Sequence, residues 1–107
     1  MAAKRNSDDR EEADELEFEW YPPKAIANLK KHKVSFAEGR TIFGDRKHLV
    51  VPDHEHSFDE RRSLAIGRSS KGRLLTVCFT ERGERIRIIS VRAAETWERR
   101  QYEVANG

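Results

Sequence analysis

The sequence predicts an α+β fold with two helices near the N-terminus, an antiparallel sheet of about four strands and a C-terminal helix. Three observations support this order. Apolar residues follow helical spacing over residues 24–43, they change to strand-like runs between residues 48 and 91, and helical spacing returns over residues 93–104. A chain of 107 residues is long enough for one small hydrophobic core.

Proline marks the start of the first helix. Residues 16–20 alternate apolar and acidic side chains, which is typical of a short edge strand, and Pro22 and Pro23 end that strand. Proline also suits the first turn of a helix, so we expect a helix over residues 24–33. The stripe expected to be buried consists of Ala25, Leu29 and His32.

A capping box predicts the second helix. Ser35 and Glu38 have the spacing at which the serine hydroxyl accepts from the Glu38 amide while the Glu38 carboxylate accepts from the Ser35 amide. The helix should then run over residues 36–43. Gly39 lies inside it and is expected to cost about 1 kcal/mol relative to alanine.

Four β-rich runs form the predicted sheet, at residues 48–52, 61–69, 74–80 and 85–91. A tight turn joins the last two runs, and Gly83 can adopt the positive φ that such a turn often needs. The final run interleaves arginine with isoleucine and valine. Guanidinium groups held on a rigid strand are well suited to phosphate oxygens.

Charge is distributed unevenly along the chain. Residues 1–19 carry a net charge of −5, and the remaining residues carry +7. Residues 1–15 contain almost no large apolar groups and are expected to form a disordered acidic tail ahead of a single domain at residues 16–107. A localised positive field favours nucleic acid or an acidic partner. The alternative is a solvated basic face that binds nothing.

Several classes of protein are disfavoured. No apolar run approaches the 18 or so residues of a membrane span, and the single cysteine, Cys78, cannot form an internal disulfide. We therefore expect a cytoplasmic protein without membrane contact, with Cys78 buried as a small apolar residue. His54 and His56 lack a third ligand at a recognised spacing, so neither a metal site nor another cofactor is expected.

Four runs of the chain resemble the BrnT toxin family. They are F-E-W-x-P-x-K-A-x-x-N-x-x-K-H-x-V-S-F-x-E at residues 18–38, D-x-x-H-S-x-x-E-R at 53–61, T-E-R-G-x-x-I-R-I-I-S-x-R at 80–92 and E-R-R-x-Y-E at 98–103. The resemblance extends over residues 16–104. It implies a RelE-like fold and a ribonuclease toxin that is neutralised by a BrnA-type antitoxin and that reaches DNA only through that antitoxin.

Metal-free RNA cleavage requires a base for the 2′-hydroxyl, positive charge near the phosphorane and a proton for the leaving oxygen. The candidate catalytic residues are His32, Arg62, Glu81, Arg87 and Arg92. The candidate RNA-binding residues are Arg68, Arg82, Arg85, Arg99 and Arg100. This hypothesis depends on arginines of adjacent strands converging on one spot without being engaged by internal carboxylates.

The sequence offers three residues for proton transfer, His32, Glu81 and Tyr102, and each of them has a structural alternative. His32 could be a packed imidazolium at a helix C-terminus, Glu81 a surface carboxylate in a turn, and Tyr102 a core residue. Two further functions are also open. One is a basic module that binds RNA or an antitoxin without cleaving anything. The other is a DNA-binding regulator, although no helix-turn-helix with a basic recognition helix is visible.

Overall fold

The computed structural model describes residues 16–56 and 60–107. The elements in chain order are β1 (Glu17–Glu19), α1 (Pro22–His32), α2 (Phe36–Arg40) with a 3₁₀ turn at Thr41–Gly44, β2 (Leu49–Pro52), a 3₁₀ turn at His54–His56, β3 (Ser63–Arg68), β4 (Leu74–Arg82), β5 (Arg85–Ala93) and α3 (Thr96–Asn106). The α+β class and the presence of two N-terminal helices and a C-terminal helix are as predicted. The second helix is shorter than predicted, because it ends at Arg40 and a 3₁₀ turn takes the place of its expected last residues. The tail expected at residues 1–15 lies outside the described residues.

The sheet differs from the prediction in two respects. It has five strands in the order β1-β5-β4-β3-β2, and β1 pairs in parallel with β5 while the other pairs are antiparallel. Strand β1 is the short edge candidate that precedes the prolines. Its partner lies 68 residues further along the chain, with Glu17 opposite Arg85, and no local pattern specifies such a distant pairing.

Helices α1 and α2 cover one face of the sheet, where the main core forms. Phe36 and Ile42 pack there against Val77, Phe79 and Val91, and each of these five side chains is at most 5% exposed. A Cβ added at Gly39 would lie only 2.5 Å from Cγ2 of Val91. The expectation that Gly39 merely weakens its helix was therefore incomplete, because the glycine lets α2 approach β5 closely.

The prediction of the buried face of α1 was wrong at one position. Leu29 is 50% exposed, whereas Asn28 is only 6% exposed. The Asn28 amide donates to the carbonyl oxygen of Val91 at 2.8 Å, and its Oδ1 accepts from the Val91 amide at 3.1 Å. Because β1 ends opposite Arg87, Asn28 satisfies the edge of β5 where no strand pairs with it.

Only half of the predicted capping box is present. The Ser35 hydroxyl accepts from the Glu38 amide at 3.0 Å. The Glu38 carboxylate does not return to Ser35; it accepts from Ser69 and Arg73 instead, and the Arg73 hydrogen bond lowers the pKa of Glu38. A complete capping box occurs at the start of α3, between Glu95 and Glu98.

Helix α3 covers part of the opposite sheet face. Tyr102 packs there on Ile66 and Leu74 and donates to Asp45 at 2.8 Å. Burial, together with this hydrogen bond, raises the pKa of Tyr102 to about 12. The rest of that face stays open and forms the groove described below. Within the described residues, no helix has the length and apolarity needed to cross a membrane.

Candidate functional site

A β-bulge in β5 places its arginines on one face of the sheet. Cys78 pairs with Ser90 and Phe79 pairs with Ile88, so Ile89 is an extra residue with no partner on β4. Strict alternation would put Arg87 and Arg92 on opposite faces, since they are five positions apart. The bulge restores them to the same face, where they lie opposite Thr80 and Thr76.

A groove of about 250 Å³ opens on this face beside the N-terminus of α3. Strands β3, β4 and β5, the first turn of α1 and the segment after β2 all contribute to it. Its lining is formed by Lys24, Asp53, His56, Arg62, Leu64, Thr76, Cys78, Ile89, Ser90 and Arg92. The groove therefore combines three cations, one carboxylate and one imidazole with a partly apolar wall.

Asp53 and His56 form a carboxylate–imidazole pair in the groove. The His56 Nδ1 lies 3.0 Å from Asp53 Oδ2 and 3.2 Å from Oδ1. The Asp53 side chain is 11% exposed and that of His56 is 60% exposed, so the carboxylate is fixed in the wall while the ring can reach a ligand. A histidine held through Nδ1 presents Nε2 for proton transfer.

Cys78 lies beside this pair as a buried thiol. Its Sγ donates to Asp53 Oδ2 at 3.7 Å. Burial first, and then the negative charge of Asp53, raise the pKa of Cys78 to about 11. The thiol therefore stays protonated at neutral pH and is a poor nucleophile. This agrees with the expectation of a small buried side chain.

Arg92 is held by a carboxylate behind the groove. Its Nη1 and Nη2 donate to Glu98 Oε1 and Oε2 at 2.7 and 2.8 Å. The Glu98 side chain is fully buried. Burial alone would raise the pKa of Glu98, but hydrogen bonds from Arg92, the Glu95 amide and Thr76 outweigh it and lower that pKa. The pair thus stays ionised in both partners.

Comparison with known proteins assigns the chain to a family. Residues 20–98 match the sequence model of the family described as the ribonuclease toxin BrnT of type II toxin–antitoxin systems. The chain belongs to the BrnT family. A crystal structure of the Brucella abortus ribonuclease toxin, BrnT, is similar to it with a TM-score of 0.59 and 25% identity, covering 76% of this chain and 99% of that one. Among curated proteins, none matches the chain significantly.

The expected convergence of arginines in this BrnT-family chain is only partial. Of the five candidate catalytic residues, Arg62 and Arg92 line the groove, and each of them also has a carboxylate partner, Glu60 and Glu98 respectively. Arg87 lies on the same face, but its Nη1 donates to Glu19 at 2.8 Å. The candidate RNA-binding residues Arg82 and Arg85 are likewise engaged, by Glu60 and by Glu17 and Glu19 respectively. Internal carboxylates thus compete with RNA for most strand arginines.

Two of the three residues predicted for proton transfer, His32 and Glu81, lie outside the groove. His32 is half-buried in the last turn of α1 and is not among the groove residues. Glu81 is exposed and lies opposite Ile86, whose side chain packs against the main core, so Glu81 is on the helix-covered face. Cross-strand partners share a face, and Glu81 is therefore on the wrong side of the sheet to act with Arg92.

The remaining RNA-binding candidates lie around α3. The guanidinium of Arg68 stacks over the Tyr102 ring at 5.8 Å from its centroid. Arg99 and Arg100 are exposed on α3, and within residues 16–56 and 60–107 no carboxylate pairs with either. These two arginines are available to steer a polyanion, although they do not line the groove.

The groove residues that were not predicted as catalytic or RNA-binding from the sequence include Lys24, Asp53, His56 and Thr76. A signal was available for two of them, because the D-x-x-H run at residues 53–56 places an aspartate and a histidine one helical turn apart. His56 was considered only as a metal ligand. In the described part of the chain, no three His, Cys, Asp or Glu side chains are grouped to hold a metal ion.

Proposed function

We propose that this groove cleaves RNA without a metal ion, through attack of a 2′-oxygen on the adjacent phosphate. The products would be a 2′,3′-cyclic phosphate and a 5′-hydroxyl, and the loss of RNA would inhibit translation. The observation that carries the proposal is the placement of the Asp53–His56 pair and Arg92 in one groove of a BrnT-family chain. General-base and charge-stabilising groups are thereby within one site.

His56 is the general base in this proposal. Asp53 holds Nδ1, so the neutral ring keeps its proton on that nitrogen and Nε2 accepts the proton of the 2′-hydroxyl. The same carboxylate stabilises the imidazolium that results. His56 replaces His32 and Glu81 in this role, since neither of those residues lies in the groove.

The three groove cations act on the phosphate. Arg92 and Arg62 supply guanidinium donors for the charge that develops on the phosphorane oxygens. The Lys24 ammonium group transfers a proton to the leaving 5′-oxygen, which gives the 5′-hydroxyl product. The apolar side chains of Leu64 and Ile89 line the same groove and offer contact surface for a base.

The antitoxin is the expected protein partner, because the family belongs to toxin–antitoxin systems. We propose a BrnA-type antitoxin that covers the groove and competes with RNA for its positive charge in the cytoplasm. Any contact with DNA would be made by the antitoxin.

The decisive experiment follows the ends of cleaved RNA. Purified protein is incubated with RNA in EDTA, and the fragments are tested for cyclic-phosphate and 5′-hydroxyl ends. His56→Gln should abolish cleavage, whereas His54→Gln is the matched control and should leave it unchanged. His32→Gln tests the earlier candidate and should also cleave normally.

Two outcomes would favour other functions. Tight, salt-dependent binding to RNA that stays intact would identify a non-catalytic binding module. Specific binding of duplex DNA by the chain alone would identify a regulator. Cleavage that needs a divalent cation would refute the metal-free mechanism while retaining the nuclease.

A further inference from the structure

We infer that Glu98, which does not line the groove, is a positioning residue that turns one defined edge of Arg92 toward the phosphate. The inference rests on the proposed function, because it assigns that edge to the reacting phosphate. It concerns a residue of α3, outside the strands that supply the arginines.

The hydrogen bonds of Arg92 leave one edge of its guanidinium group unoccupied. A guanidinium has five N–H groups. Nη1 donates to Glu98 Oε1 and to the Ala93 carbonyl oxygen, and Nη2 donates to Glu98 Oε2. Nε and the second hydrogen of Nη2 remain, and within the described residues neither has a partner. These two donors are adjacent and form the planar fork that binds two phosphate oxygens.

Glu98 is itself held rigidly. Its Oε1 accepts from the Glu95 amide at 2.8 Å and from the Thr76 hydroxyl at 2.7 Å, in addition to Arg92. These contacts tie the carboxylate to the first turn of α3 and to β4. Because a buried carboxylate with this many donors cannot rotate freely, the plane of the Arg92 guanidinium is fixed before RNA binds.

Arg92 is aligned before RNA binds, because its carboxylate partner is fully buried. A guanidinium that is already aligned avoids the side-chain entropy cost of ordering it on binding. Arg92 is thus well placed to act on a transition state, where small errors of position are penalised most.

The test separates positioning from stability. In Glu98→Gln, the side chain keeps its size and can still meet Thr76, but Arg92 loses its charged anchor. The maximal cleavage rate should fall about 10- to 100-fold, while the dissociation constant for an uncleavable 2′-deoxy oligonucleotide stays within about threefold. Glu103→Gln removes an exposed charge from the same helix and should retain wild-type cleavage.

Other results would overturn the inference. Wild-type cleavage by Glu98→Gln would show that Arg92 needs no anchor. Parallel loss of cleavage, binding and thermal stability would show that Glu98 serves only the fold.

A second measurement decides the matter if Glu98→Gln does not fold. In ¹⁵N-labelled wild-type protein, the Arg92 Nε–H signal, assigned through Arg92→Lys, should shift on addition of the 2′-deoxy oligonucleotide. An unchanged signal in the bound protein would overturn the inference. Because this probe is not cleaved, the result stands apart from the proposed function, which fails separately if the wild-type protein leaves RNA intact.

Discussion

The two ends of β5 carry the same kind of residue in different settings. At one end, Arg87 donates a single hydrogen bond to Glu19 of β1, a carboxylate that is 26% exposed. At the other end, Arg92 makes a two-point contact with the fully buried Glu98. Both side chains are about equally exposed, at 32% and 27%.

Exposure alone therefore does not identify a functional arginine. The Arg87 hydrogen bond lowers the pKa of Glu19, and that ion pair helps to hold a three-residue edge strand against the sheet. An ion pair so close to solvent contributes little stability and can exchange with other anions. The buried partner of Arg92, by contrast, leaves the guanidinium fixed and still open on one edge.

One test concerns the bulge between the two ends. Deleting Ile89 would leave Arg87 and Arg92 four positions apart in a regular strand, so that Arg87 and Arg92 stay on the groove face and Val91 stays in the core. We therefore expect the deletion variant to fold and to show a cooperative thermal transition by circular dichroism. Ile89→Ala keeps the extra residue and is the matched control. A deletion variant without a cooperative transition would refute the assignment of Ile89 as the extra residue of the bulge.

Charge removal at each end should then separate the two arginines in function. Arg92→Gln should reduce RNA cleavage on the order of 100-fold, as expected for loss of a transition-state donor. Arg87→Gln should change it by less than about threefold, because that guanidinium is engaged by β1. Rates are compared at saturating RNA for variants with intact near-ultraviolet circular dichroism. Equal losses of cleavage in both variants would show that Arg87 and Arg92 do not differ in function.

The edge of β5 is satisfied differently at the two ends, by β1 near Arg87 and by Asn28 near Arg92. Asn28→Ala would leave the buried amide and carbonyl groups of Val91 without partners. We expect a loss of about 2–3 kcal/mol in the free energy of unfolding, measured by urea denaturation. Leu29→Ala, at the exposed neighbouring position, should cost less than about 1 kcal/mol.

The close packing of Gly39 against Val91 tests whether the free energy of unfolding rises or falls when a methyl group is added at residue 39. Helix propensity predicts that Gly39→Ala stabilises the protein by about 1 kcal/mol. The contact with Val91 predicts the reverse, a loss of about 1–2 kcal/mol through overpacking. Ala37→Gly, at an exposed position of the same helix, isolates the propensity effect. A stabilised Gly39→Ala variant would show that Val91 can move aside.

The smallest expected difference between the two ends is in how the free energy of unfolding depends on pH. The pKa values of Glu19 and Glu98 are both lowered from 4.5, so each carboxylate stabilises the fold above that pH and loses this effect as the pH falls through its folded-state pKa. Unfolding free energy measured from pH 7 to pH 3 should decline less steeply in Glu98→Gln than in wild type. Glu19→Gln should follow wild type more closely, since its ion pair is more exposed. The opposite ranking would contradict the burial argument.

Local sequence patterns predicted much of the fold. Pro22 and Pro23 predicted the start of α1, and Ser35 predicted the cap of α2. Gly83 takes the expected positive φ, 62°, in the turn between β4 and β5. Each of these features acts over a few residues, where backbone sterics and a single hydrogen bond decide the outcome. The parallel pairing of β1 with β5 and the partners of Glu38 could not be predicted from local patterns, because both join distant parts of the chain.

The candidate site was also predicted only in part. Arginine-rich strands correctly indicated a basic sheet face, and Arg62 and Arg92 do line its groove. His32 and Glu81 were selected for acid–base work by residue type, without knowledge of their face, and neither lines this groove. Asp53 and His56 were one helical turn apart in a segment that was taken as a polar loop, so their pairing was overlooked.

Propensity, capping and charge are properties of short segments. The elements of this BrnT-family protein and the positive charge of its second half therefore follow from the sequence. Which arginines remain available to a phosphate follows only from the three-dimensional packing. That depends on the bulge at Ile89 and on carboxylates brought from distant parts of the chain, such as Glu19 against Arg87. Ion pairing acts through space, and the fold alone sets which charges meet.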